Sequence, residues 1–233
     1  MNLRWMAALA ALLLAATAGA EGTPQGKELK EKKERVSYSI GMDIGSNLKR
    51  QPFEVDPEML AQGVRDAFAG GKTLLTEEEA RKTLADLQKE LMEKQQEQVR
   101  QMMEKNKKEG EEFLAANKKK KGVVTLPSGL QYKVLKAGSG SSPKLTDTVE
   151  TNYRGTLIDG TEFDSSYKRG ETATFPVSGI IEGWKEALQK MKVGDKWQLF
   201  VPAELAYGER GAGREIGPNQ ALIFEVELLT IRQ

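Results

Sequence analysis

The fold turns on the stretch "DTVETNYRGTLIDG", residues 147–160. Val149, Thr151, Tyr153 and Gly155 alternate with Glu150, Asn152 and Arg154. A period of two puts each set on one face of a β-strand. Asp159-Gly160 then marks a hairpin turn, because Gly takes the positive φ that tight antiparallel connections need. The chain closes on "ALIFEVELLTI", where Leu222, Phe224, Val226 and Leu228 alternate with Ile223, Glu225 and Glu227. "LQYKVLKAG" and "KWQLFVP" read as further strands. "ATFPV" is a short one, and Pro176 suits an edge or a bulge because it cannot donate to a ladder. "IEGWKEALQKM" is the one amphipathic helix, with Trp184, Leu188 and Met191 on a face. The expectation for residues 122–233 is an α+β domain: an antiparallel sheet with one helix laid across it.

Upstream the periodicity is helical. In "VSYSIGMDIGSNL", Val36, Ile40, Ile44 and Leu48 fall four apart and make one apolar stripe. Gly41 and Gly45 read as small residues in a close helix contact. Asp56-Pro57 opens a second helix, with Asp as the cap and Pro at the first helical position. Met59, Leu60, Val64, Ala67 and Phe68 are its apolar set, and Gly70-Gly71 ends it. These helices bury too little apolar surface to stand comfortably alone. Residues 21–75 are therefore expected to form an all-α dimerisation domain, the contacts running over residues 27–91.

Residues 76–121 read as a long connecting helix. Thr76 and Glu79 form a capping box, and no Pro interrupts the run. Ala80, Leu84, Leu87 and Leu91 begin a seam that thins beyond Gln95. A helix polar nearly all round usually crosses solvent between domains, so a charged, solvated connector or a spacer is expected. Residues 1–20, "MNLRWMAALAALLLAATAGA", have Arg4, an apolar run and a small-x-small ending at Ala20. That is the pattern of a cleaved export signal. Its apolar run is shorter than the roughly 20 residues of a membrane span. The expected destination is the periplasm.

Composition excludes whole classes of chemistry. The chain has no His and no Cys. There can be no Ser-His-Asp triad, thiolate nucleophile, zinc knuckle or disulfide. The net charge of +1 gives no reason to expect nucleic acid or an anionic membrane as the main partner. The glycine-rich "LAYGERGAGREIGPNQ", residues 205–220, invites a phosphate-loop reading. Flanking sequence removes it: a strand rather than a helix follows, Ile216 stands where a third Gly is needed, and no Gly-Lys-Ser/Thr occurs. The glycines instead make a turned or mobile flap above Tyr207. No cofactor or metal is expected.

The motifs "NYRGTLIDGTEFDSS", "GIIEGW", "MKVGD", "PAELAYG" and "LIFEVELL" occur together and in order. In them the C-terminal domain resembles the FKBP-type peptidyl-prolyl cis-trans isomerases. The N-terminal helices, export signal and long helix resemble the macrophage-infectivity-potentiator branch of that family. The resemblance implies an antiparallel half-barrel wrapped on one helix, with an apolar pocket between them. It places Trp184 as the pocket floor and Tyr153, Phe163, Ile180, Ile181, Tyr207, Ile216 and Phe224 as walls. Asp164 would lie at the rim, with Arg169 as its ion partner. It also implies a homodimer acting on proline-containing unfolded polypeptides, with folding-helper activity and the family's macrolide inhibitors as ligands. Ala173 departs from an aromatic of the best-known members, and Ala212 and Glu215 from larger or apolar loop residues. Singly, Trp184, Phe224 and Tyr207 read equally as core residues, and Asp164–Arg169 as a surface ion pair. A second function stays open: a holdase that grips proline segments with little catalysis.

Overall fold

The computed structural model describes residues 28–232. The expected export signal, residues 1–20, lies outside the described residues. Among the described residues no helix is long and apolar enough to cross a membrane. The chain divides into two compact units, with the boundary after Thr76.

The first unit holds α1 (Lys32–Leu48) and α2 (Pro57–Ala69). The Asp56 side chain accepts from the Glu58 and Met59 N–H groups at 2.9 and 3.1 Å. This satisfies two of the donors that the start of α2 leaves without a partner. Gly70 ends the helix in the left-handed region, at φ 65°. Neither helix has a buried residue. The stripe Val36, Ile40 and Ile44 is exposed, and so are Val64 and Phe68, the last at 91%.

The second unit begins with α3 (Glu77–Asn117), 41 residues long. At 1.5 Å per residue it extends about 60 Å. Ion pairs one turn apart run along it, such as Lys82–Asp86, Lys89–Glu93 and Arg100–Glu104. The sheet follows: β1 (Val123–Thr125), β2 (Gln131–Lys136), β3 (Thr148–Leu157), β4 (Glu162–Ser165), β5 (Ala173–Pro176), β6 (Lys196–Val201) and β7 (Leu222–Arg232). A single turn, α4 (Ser166–Arg169), follows β4, and α5 (Glu182–Leu188) precedes β6. The order is β1-β2-β6-β7-β3-β4, with β5 also on β3, and every pairing is antiparallel. β3 carries β5 along Thr148–Thr151 and β4 along Arg154–Thr156.

The alternation read from the sequence holds. Val149, Thr151, Tyr153 and Leu157 of β3 are buried, as are Leu222, Phe224, Val226 and Leu228 of β7. They meet Trp184, Ala187, Leu188 and Met191 across the core. Pro176 ends β5, which pairs only with β3, as an edge position requires. The helix of "IEGWKEALQKM" is shorter than its pattern. It stops at Leu188, and Met191 is buried from the turn that follows.

The solvated-connector reading of α3 needs correction over its last turns, which lie on the outer face of the sheet. Asn117 is buried and donates to Gln131 Oε1 at 3.0 Å, while Gln131 donates to the Leu114 carbonyl at 2.9 Å. The Phe113 and Phe200 rings sit 6.0 Å apart. Asn106 donates to the Pro218 carbonyl at 2.7 Å. Gly110 is buried because a Cβ there would lie 3.1 Å from the Ala221 Cβ. A larger side chain must push the helix off the sheet, at roughly 1–3 kcal/mol. Gly110→Leu is therefore expected to lower the thermal midpoint of this unit by several degrees. An unchanged calorimetric midpoint would show that α3 does not pack there in solution.

Candidate active site

The β3–β4 hairpin delivers the polar side of the site. The turn closes with Leu157 N–H on Thr161 O at 2.8 Å and Gly160 N–H on Leu157 O at 3.0 Å. Register then sets Gly155 opposite both Asp164 on β4 and Phe224 on β7. A Cβ at Gly155 would meet the Phe163 ring at 2.6 Å and the Phe224 ring at 3.0 Å. Only glycine lets the two rings close over the strand, and they do so edge to face, 5.6 Å apart. The reading of Gly155 as merely one of a strand face missed this approach.

Trp184, from α5, lies at the centre. Its ring makes edge-on contacts with Tyr153 at 5.4 Å, Phe175 at 5.9 Å and Phe224 at 5.3 Å. Such geometries match the positive edge of one ring to the negative face of another. α5 reaches the sheet closely because Gly183 leaves room for Val201. The result is a cavity of about 560 Å³ between α5 and the sheet. Tyr153, Phe163, Asp164, Ile180, Ile181, Trp184, Tyr207 and Phe224 all line it, as expected from sequence.

One expected wall residue, Ile216, and the expected ion partner of Asp164, Arg169, do not line the cavity. Ile216, within the glycine-rich loop itself, turns into the core. Arg169 stands behind the wall and acts on Asp164 and Tyr153. Four lining residues went unread: Phe175, Gly179, Glu182 and Ala206. Phe175 was legible, since it shares the less exposed face of β5 with Ala173, two residues back. Gly179 and Ala206 sit in short irregular segments that carry no period, and Glu182 is the polar first residue of α5.

Asp164 is held on every side. It accepts from the Tyr153 hydroxyl, the Arg169 guanidinium and, at 2.8 Å, the Ser165 N–H. Arg169 also donates to the Tyr153 hydroxyl at 3.0 Å and lies over its ring at 5.5 Å. Burial disfavours the Asp164 charge, but the Tyr153 and Arg169 hydrogen bonds outweigh it and hold the carboxyl below the ordinary aspartate range. Burial, then the bond to Asp164, pushes the Tyr153 phenol up. Burial and the Asp164 charge push the Tyr207 phenol up as well. The Tyr207 hydroxyl makes no hydrogen bond among the described residues, and the Ile181 N–H makes none either. These are two free donors in a cavity whose other lining is aromatic and aliphatic apart from Asp164 and Glu182.

The flap from Leu205 to Gln220 is tightly turned. Gly208, Gly211 and Gly213 have φ of 56°, 62° and 60°. Ala212 and Ile216 bridge each other, and the Asn219 N–H donates to Gly208 O at 2.8 Å. The glycines serve backbone geometry, and Gly213, Arg214 and Glu215 form the exposed tip.

A family model described as "FKBP-type peptidyl-prolyl cis-trans isomerase" matches residues 139–229. One described as "Domain amino terminal to FKBP-type peptidyl-prolyl isomerase" matches residues 33–134. The chain belongs to the FKBP-type peptidyl-prolyl cis-trans isomerase family. It is 48% identical over 222 residues to the peptidyl-prolyl cis-trans isomerase Mip of Coxiella burnetii, covering 95% of this chain and 94% of that one. It is 47% identical over 224 residues to the outer membrane protein MIP of Legionella longbeachae, covering 96% of each. The crystal structure of FkpA from Escherichia coli matches with a TM-score of 0.73 and 40% identity. That match covers 87% of this chain and 98% of FkpA. The chain is an enzyme of this class, a peptidyl-prolyl cis-trans isomerase.

The electrostatics predict a flat pH profile. Asp164 stays ionised as pH falls below its ordinary value of about 3.9, and both phenols stay neutral past about 10. The stability Asp164 contributes is present above its unfolded pKa and lost as pH falls through the lower folded one. The isomerisation rate constant is expected to be constant from about pH 5 to 9. A bell with a limb inside that window would place a titrating catalytic group that this cavity does not contain. Asp164→Asn keeps the shape but leaves Arg169 without its anion, and is expected to lower kcat/KM by about tenfold.

Proposed function

We propose that the cavity receives the proline ring against Trp184, Phe224 and Ile181, and that the peptide bond before it twists there. The barrier to rotation, roughly 18–20 kcal/mol, is amide resonance. The twisted state has lost that resonance and carries less charge separation than the planar amide. A dry, aromatic-lined site therefore disfavours the planar form more. The free Tyr207 hydroxyl and Ile181 N–H hold substrate carbonyls on one side of the bond while the other side rotates. Asp164, kept anionic by Tyr153 and Arg169, supplies fixed negative charge toward the rotating carbonyl carbon. Phe163 closes the wall. No step requires an imidazole, a thiol, a metal or a cofactor.

The observation that carries this reading is the pairing of an apolar aromatic cavity with two free donors at its rim. A protease-coupled assay on a short proline peptide tests it. Acceleration of cis-to-trans conversion is expected. Tyr207→Phe, which removes only the hydroxyl, should lower kcat/KM several-fold without shifting the thermal midpoint. A protein that binds proline peptides without accelerating their conversion would be the holdase instead.

The working form is proposed to be an exported homodimer with chaperone activity. The export-signal pattern of residues 1–20 supports periplasmic delivery, and a close relative is named an outer membrane protein. The apolar side chains of α1 and α2 have no cover in one protomer, which supports pairing with a second copy. Unfolded, proline-containing polypeptides are the proposed clients, and the same cavity is proposed to admit the family's macrolide inhibitors. Sedimentation checks the assembly. The mature protein should run as a dimer at micromolar concentration. Phe68→Glu, at a fully exposed position, should give monomers that keep the short-peptide rate.

A further inference from the structure

A polypeptide substrate must leave the proline cavity in two directions, so the surfaces next to the cavity are candidates for further contacts. One of them is a groove of about 470 Å³ on the other flank of α5, formed by Leu145, Leu205, Lys185, Glu186, Ser178 and Gln189. Glu182 lines both the groove and the proline cavity. The two abut at two more places. Ser178 lines the groove and Gly179 the cavity; Leu205 lines the groove and Ala206 the cavity. The groove is thus a direct continuation of the cavity across the first turn of α5.

Its chemistry suits an apolar side chain on an extended backbone. Leu145 is 47% exposed, which is high for a leucine, and it faces a partly buried Leu205. The polar groups around them are already partnered. Lys185 pairs with Glu182 at 2.6 Å, and Ser128 donates to Glu186 at 2.5 Å. A substrate crossing here meets an apolar floor and a rim whose polar groups already have partners.

We propose that this groove is a second substrate subsite, which takes an apolar residue of the chain whose proline occupies the cavity. The proposal rests on the isomerase reading above. Crossing a helix of about 10 Å at about 3.3 Å per extended residue sets the subsite about three residues from the proline. A short peptide reaches the cavity but not the groove; an unfolded protein fills both. The groove then selects prolines that have an apolar neighbour at that distance, which are the segments most exposed to aggregation before folding ends.

The test uses the full chain and three peptides. One is a four-residue proline peptide. Two are longer, with the proline central and the residues three positions away on either side both Leu in one peptide and both Ser in the other. The Leu peptide is expected to show a KM about fivefold below the Ser peptide, with kcat unchanged. Leu145→Ser should abolish that difference and leave the four-residue peptide unaffected, and Leu145→Met should restore it. Equal KM for the two long peptides overturns the subsite while the isomerase reading stands. So does a Leu preference that survives Leu145→Ser. A shift in sedimentation on Leu145→Ser with no change in KM would assign the groove to contact between copies and overturn the subsite. No acceleration of any peptide overturns both readings.

Discussion

The indole of Trp184 holds the molecule's structure and its site together. Its edges and faces meet Tyr153, Phe175 and Phe224, one from each of three strands, so α5 cannot be docked without assembling the cavity. Each such pair contributes about 1 kcal/mol beyond the area it buries. The cavity exists because these rings meet edge on. Face-to-face packing, or aliphatic side chains of the same volume, would fill the space as ordinary core does. Gly155 and Gly183 make the arrangement reachable. One lets Phe163 and Phe224 close over β3, and the other lets α5 sit against Val201. The indole N–H is buried without a partner among the described residues, which fits a ring placed for its shape and faces.

The polar side of the site is a problem of a different kind. A half-buried carboxylate tends to take up a proton, and here three donors prevent that. The arrangement is reciprocal: the Tyr153 ring lies against Trp184 while its hydroxyl is spent on Asp164, and Arg169 serves both. Tyr153 therefore has no free hydroxyl to give a substrate, whereas Tyr207 has. Two tyrosines that look alike in sequence divide into one whose hydroxyl is bonded and one whose hydroxyl is free, and only the hydrogen bonds separate them.

Most of the sheet was legible because a strand with one buried face writes its period into the chain. Val149, Thr151 and Tyr153, or Leu222, Phe224 and Val226, need no tertiary information to assign. The cap of α2 was equally local, one Asp and one Pro. The cavity was less legible. Trp184 and Phe224 obey the same alternation as any core residue, so periodicity alone could not tell a wall from a core. The motifs' joint order and spacing did that. Ile216 was placed on the wall by the resemblance alone, since a glycine-rich loop has no period from which to read a direction; it is buried in the core instead. Gly179 and Ala206 were missed because their segments carry no period, and Glu182 because a charged residue at a helix start reads as solvent-facing.

The end of α3 shows where a composition argument fails. Its charges argue for solvent on all sides, and along much of the helix that holds. Yet Gly110 and Asn117 are buried, because the sheet offers a second, outer face bearing Phe200 and Gln131. One absent side chain at Gly110 and one amide pair suffice to seat a helix that no apolar stripe announces. Seating it has a consequence for the flap. Asn106 holds the Pro218 carbonyl, the neighbouring Asn219 N–H holds Gly208, and Gly208 follows Tyr207. Tyr207, whose hydroxyl is free, thus stands beside a short chain of hydrogen bonds that starts on the helix. The long helix belongs to the isomerase unit itself, and the flap's four glycines bend between anchors that it supplies.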